Sequence, residues 1–124
     1  RIVGSAKQLV YDTRDQVLDV VSKAEGTLEK LKDVIDAEAK RGTITVDAGS
    51  ALLDRVDGLL TQVKDLKSDA DGLAARIDAE DNTVGLVLKK DGKLIKETEK
   101  LASDIDKLIL DLKKRGLKLN VDIF

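Results

Sequence analysis

Cysteine, histidine, methionine, tryptophan and proline are all missing from this chain of 124 residues, and Tyr11 and Phe124 are its only aromatics. Without cysteine there is no disulfide, no thiolate nucleophile and no soft-metal ligand. Without histidine the usual proton shuttle near neutral pH is gone. Without proline no residue loses its amide donor, so long helices meet no obligatory kink. The scarcity of rings argues against a compact globular core, which would normally use more of them. No stretch approaches the roughly 18 to 20 consecutive apolar residues a bilayer crossing needs, and no signal peptide opens the chain. Lys and Arg number 22 against 24 Asp and Glu, a net charge of −2, so no field gathers nucleic acid and no nucleic-acid partner is expected. The chain starts at Arg1 with no methionine, and is expected to be a processed or excised piece whose upstream part held an anchor.

What the chain does have is a rhythm. Apolar residues recur at alternating steps of three and four through Leu52, Val56, Leu59, Val63, Leu66, Ala70, Leu73 and Ile77, and again at Leu94, Leu101, Ile105, Leu108 and Leu112. Steps averaging 3.5 residues keep one narrow stripe facing a partner helix as both supercoil. Charged residues at 37% and hydrophobic residues at 42% fit long two-faced helices. A single stripe buries little surface unless helices pair, so self-association is expected.

The rhythm divides into three helical segments. The first, about Ile2 to Lys40, carries Val3, Ala6, Val10, Val17, Val20, Ala24, Leu28, Leu31, Val34 and Ile35, with Thr13 and Thr27 as weak layers. Gly42 to Val46 is poor helix material, β-branched at four positions in a row, and reads as a break or short extended link. Asp47 or Ser50 is the expected cap of a second helix over about 47–79. Glu80 to Gly92 forms a second interruption, with Asp91–Gly92 as a turn dipeptide and an apolar run at Val84 to Leu88 whose conformation stays open. The third helix, about Lys93 to Arg115, ends on cations followed by Gly116. The tail from Leu117 to Phe124 alternates apolar and polar residues, as a half-buried strand does.

Every seventh position counted from Val3 keeps its phase through both breaks. A continuous rod in a parallel assembly preserves such phase, whereas hairpin loops have no reason to. The expected fold is therefore all-α, built of elongated coiled-coil-like long helices with a short C-terminal extended segment, and the alternative is an antiparallel three-helix bundle.

Chemistry is sparse. The carboxylates interleave with lysines and read as solvated helix faces before general acids or bases, so no catalytic residue is assigned and the chain is not expected to be an enzyme. Asp69, Asp71, Gly72 and Asp78 fall on positions three, five, six and twelve of a calcium loop, but Lys67 stands at position one and the apolar stripe runs through as helix. No metal and no cofactor is expected. Gly42 to Ser50 has no phosphate-loop spacing. The candidate site is the apolar seam itself, Leu59, Val63, Leu66, Leu73, Leu94, Leu101, Ile105, Leu108 and Leu112, facing either lipid or partner helices.

The run NTVGLVLKKDGKLIKETEKLASDIDKLILDLKKRGLKLNVDIF, Asn82 to Phe124, resembles the tail of bacterial MCE (mammalian cell entry) proteins, the membrane-anchored substrate-binding subunits of lipid-transporting ABC systems. Thr83, Val84, Gly85 and Leu88 match the family's glycine-containing element, Asp91 its turn, and Val121 to Phe124 its ending. Asn82 replaces the first glycine, Leu86 replaces a lysine, and the Asn-Pro that often comes after the last helix is missing. The resemblance covers about a third of the chain and none of the family's β-rich lipid-binding domain. It implies a homo-oligomer, commonly a hexamer, whose helices surround an apolar passage for phospholipid in the cell envelope. It also implies a periplasmic location, an inner-membrane anchor in an upstream segment, and permease and ATPase partners reached through that missing region. The alternative is a structural coiled-coil spacer or adaptor with no ligand. A weaker third reading is an amphipathic protein that exchanges on lipid surfaces, which would favour wide apolar faces over narrow seams.

Overall fold

The computed structural model describes the backbone of residues 2–78 and 84–119, and side chains for residues 7–73, 75 and 92–119. Three helices account for nearly all of it: α1 (Ile2–Arg41), α2 (Val46–Asp78) and α3 (Val84–Lys114). Among the described residues there is no strand. At about 1.5 Å per residue, the 33 residues of α2 make a rod about 50 Å long.

The chain takes the bundle alternative. Lys32 pairs with Asp57 at 3.9 Å, and Glu25 with Lys67 at 2.9 Å, so partners on α2 rise in number as those on α1 fall. Arg55 likewise meets Asp111 at 2.8 Å, near the start of α2 and the end of α3. Both neighbours of α2 thus run antiparallel to it, and α3 packs on α1 as well as on α2.

The reversal is made by the link that reads as poor helix material. The Gly42 amide donates to the Ala39 carbonyl at 3.2 Å and the Thr43 amide to the Glu38 carbonyl at 3.1 Å, the paired bonds of a Schellman cap. That cap needs a left-handed residue, and Gly42 has φ 83°. Thr45 then starts α2, its hydroxyl accepting the Ala48 amide at 3.1 Å, so the cap is Thr45 and not Asp47 or Ser50. Asp47 sits in the first turn, where its charge suits the helix dipole. Gly49 lets the two helices close: a Cβ on it would lie 3.0 Å from the Ala39 methyl carbon.

The phase kept through the breaks therefore says nothing about direction. A bundle needs the 3.5-residue period only within each helix, and loop length sets the relation between them.

Two further expectations change. Helix α3 begins at Val84, nine residues before Lys93, so Asp91–Gly92 lies inside a helix. Gly92 does not take positive φ there, and the apolar run from Val84 joins the rest of the helix without a break. The expected terminal strand is not present over 117–119, and residues 120–124 lie outside the described part, as do 79–83. Instead, a second Schellman cap ends α3: Gly116 (φ 90°) donates to Lys113, and Leu117 to Leu112. The cap turns Leu117 back into the core beside Leu112, where it is 3% exposed.

The core is one continuous aliphatic cluster contributed by all three helices. In α1 it uses Val21 in place of the expected Val20, which is half-buried. Fully burying a leucine or isoleucine is worth about 1.5–3 kcal/mol, and truncating one leaves a cavity as well.

Leu108→Ala is expected to cost about 2–5 kcal/mol in urea unfolding, whereas Leu110→Ala, half-exposed on the same helix, should stay within about 0.5 kcal/mol. Gly116→Ala, which forces an alanine into the left-handed region, is expected to cost about 1 kcal/mol. Gly58→Ala should instead gain up to about 1 kcal/mol, because nothing lies within 4 Å of a Cβ there. A loss at Gly58 equal to that at Gly116 would contradict this account of the caps.

Candidate functional site

All nine seam residues lie in the interior of the single chain. Leu101, Ile105, Leu108 and Leu112 have no exposed surface, Val63 is 1% exposed, and Leu66, Leu73 and Leu94 are 4% exposed. Leu59, at 8%, is the most open of them. α2 and α3 each turn their stripe toward the other two helices, so the partner surface that each stripe requires is supplied by the same molecule.

Sequence reasoning missed three members of this cluster. Ile109, also without exposed surface, lies beside the seam on α3, and α3 presents a two-residue-wide face there. A signal for it was present, since Leu108 and Ile109 are adjacent and a helix against two neighbours buries more than a strict 3.5-residue line. Val21 takes the place expected of its neighbour Val20, and Ile44 is buried from a loop position that no periodicity announces; Leu117 is an apolar position of the tail's alternation, buried here by the helix cap.

Among the described residues two polar side chains share the interior. The Thr98 hydroxyl is satisfied by donating to the Leu94 carbonyl at 2.8 Å, within its own helix, and that bond involves no acid or base that would activate it. Thr13 is 3% exposed and occupies the seam position of α1 as the weak layer the spacing predicts.

An open cleft of about 380 Å³ lies between α2 and α3, lined by Ser68, Asp69, Gly72, Leu73, Lys93, Leu94 and Glu97. Its only opposed charges on one helix, Lys93 and Glu97, pair with each other at 3.8 Å. Asp69 and Asp71, candidates for a calcium loop by spacing, are carried on uninterrupted helix through Asp78, and a helix cannot wrap twelve residues round one ion. Among the described residues no cluster of acidic side chains has metal-binding geometry.

The strongest electrostatic feature joins the start of α2 to the end of α3. Asp111 accepts from Arg55 at 2.8 Å and lies 3.5 Å from Arg115. The hydrogen bond from Arg55 holds the Asp111 carboxyl below its ordinary value; partial burial opposes this, and the charges of Arg115 and Arg55 add to it. Both partners are about one-third to one-half exposed, so solvent screens the pair. Its value lies in fixing which ends meet.

A carboxylate whose folded pKa is depressed stabilises the fold above its unfolded value, about 3.9, and loses that contribution as pH falls through the lower folded value. Asp111→Asn is therefore expected to be less stable than the parent at neutral pH, with the difference closing below about pH 4 in parallel urea titrations. A gap that stayed constant down to the acid limb would assign the loss to packing and not to charge. No family model, curated protein or solved structure matches this chain.

Proposed function

We propose that the chain is a non-catalytic helical module of an MCE-like lipid-transport subunit, whose aliphatic seam serves assembly and, when the helices part, contact with acyl chains. The observation that carries this reading is the seam's chemistry: Leu, Ile, Val and Ala over all three helices, with no ring and only Thr13 and Thr98 as buried polar residues among those described. A surface of that kind suits acyl chains as well as it suits leucines of a neighbouring helix. The similarity of residues 82–124 to MCE tails supplies the substrate class, phospholipid, and the expected neighbours: further copies of the chain, a permease and an ATPase. Location in the periplasm belongs to the same proposal. No helix among the described residues is long and apolar enough to cross a membrane.

One observation favours a second reading, a spacer or adaptor with no ligand. The seam is already covered within one chain, and a closed bundle about 50 Å long needs no lipid to be stable. In that reading partners would be recruited by the outer faces.

A photo-crosslinking amino acid at Leu108, introduced in cells of the producing organism, separates the two. Lipid adducts at Leu108, absent when the probe replaces exposed Thr61 on the outer face of α2, are the result expected for the transport reading. Crosslinks to protein alone, with the helices intact by circular dichroism, would overturn it in favour of the spacer.

A further inference from the structure

The outer faces of the three helices differ in charge. On α3 the exposed row on steps of three and four is Lys93, Lys96, Lys100, Ser103, Lys107, Leu110 and Lys114, with no acidic member. The equivalent row on α2 is Asp47, Ala51, Asp54, Gly58, Thr61, Asp65, Ser68, Gly72 and Ala75, with no basic member. The row on α1 mixes the two, with Asp12, Asp19 and Asp33 against Lys23, Lys30 and Lys40. Totals agree with the rows: residues 84–119 carry ten basic against six acidic side chains, and α2 carries seven acidic against four basic. A chain of near-neutral net charge is thus a transverse dipole once folded.

The row on α3 is also largely unpaired. Of its five lysines only Lys93 forms an ion pair among the described residues, with Glu97 at 3.8 Å. The described acidic side chains of α3 lie off this row. Asp111 is turned toward α2, holding Arg55, while Glu99 and Asp106 flank the row. From Lys93 to Lys114 the row runs about 32 Å along one line. Leu110, 46% exposed, stands between Lys107 and Lys114, and Ile95, 37% exposed, lies beside Lys96.

We propose that this outer face of α3 docks the bundle on an anionic phospholipid surface. A planar surface touches α3 alone while α2, with its aspartates, points away, so the dipole orients the bundle as it approaches. A flexible polyanion such as nucleic acid would reach round to α2 and meet repulsion. Lysines whose stems lie along the helix reach headgroup phosphates, and Leu110 supplies an apolar step into the interfacial region. The inference rests on the charge distribution of the closed bundle and not on what the seam contacts, so either can fail without the other.

The test is co-sedimentation of the whole chain with vesicles of phosphatidylcholine containing one-third phosphatidylglycerol, against phosphatidylcholine alone. Binding is expected only to the anionic vesicles and should be lost near 1 M salt, where the screening length falls to about 3 Å. Lys100→Glu with Lys107→Glu is expected to weaken binding more than about tenfold. Lys23→Glu with Lys30→Glu changes net charge equally on α1 and should weaken it far less. Circular dichroism checks that both variants remain helical. Equal loss in both pairs, or binding to both vesicle types, would overturn the proposal. So would a parent that ignores vesicles but self-associates, by light scattering, in a manner abolished by the α3 pair: the acidic row of a second copy would then be the occupant.

Discussion

Mutual burial of narrow aliphatic stripes is the constraint on which this molecule depends. Each helix offers an apolar face too slim to form a core with one partner and too continuous to leave in water. Three such faces converge on one axis, and the interior closes with leucine, isoleucine, valine and alanine. No disulfide stands behind that packing, because the chain has no cysteine. Stability is therefore set by how completely the stripes cover one another. The caps at Gly42 and Gly116 matter for the same reason: each bends the chain where the next apolar residue, Ile44 or Leu117, must turn inward.

Ion pairs play a different part. Lys32–Asp57, Glu25–Lys67 and Arg55–Asp111 are each exposed enough that none contributes much free energy. Yet an aliphatic seam is poorly selective about register and direction, since a leucine packs as well against one leucine as another. Charges at the edges of the seam penalise the wrong pairings. The arrangement assigns stability to the interior and orientation to its margins.

The sequence revealed the helices and most of their buried residues, since a 3.5-residue period leaves few other ways to hide the stripe. Val10, Val17, Ala24, Leu31, Leu52, Leu66, Leu101 and Leu108 fall in the interior as spacing requires. Chain direction was not legible, because heptad phase is indifferent to it and the deciding features are local: a positive-φ glycine at 42, a hydroxyl cap at Thr45 and a close approach at Gly49. The start of α3 was misread for a related reason. Asp91–Gly92 is a turn dipeptide in isolation, and helix on both sides of it overrides that preference. The nine seam residues of the candidate site were legible as a set, but what they face was not, since covering by a sister helix and covering by another molecule ask for the same side chains.

That equivalence bears on how the seam can be used. Within one chain each stripe meets its partners at the effective concentration of a short linker, in the millimolar range. Separate copies compete for the same stripe only if something holds them together at comparable density, such as a neighbouring domain or a shared surface. A bundle docked on a membrane by the lysines of α3 is concentrated there and oriented alike from copy to copy, which lowers the entropic cost of exchanging internal for external partners. The outer face and the inner seam would then act in sequence. In that proposal charge gathers and aligns the bundles first. Were the helices then to separate, the aliphatic stripes would accept a sister helix, a second copy or an acyl chain on the same terms.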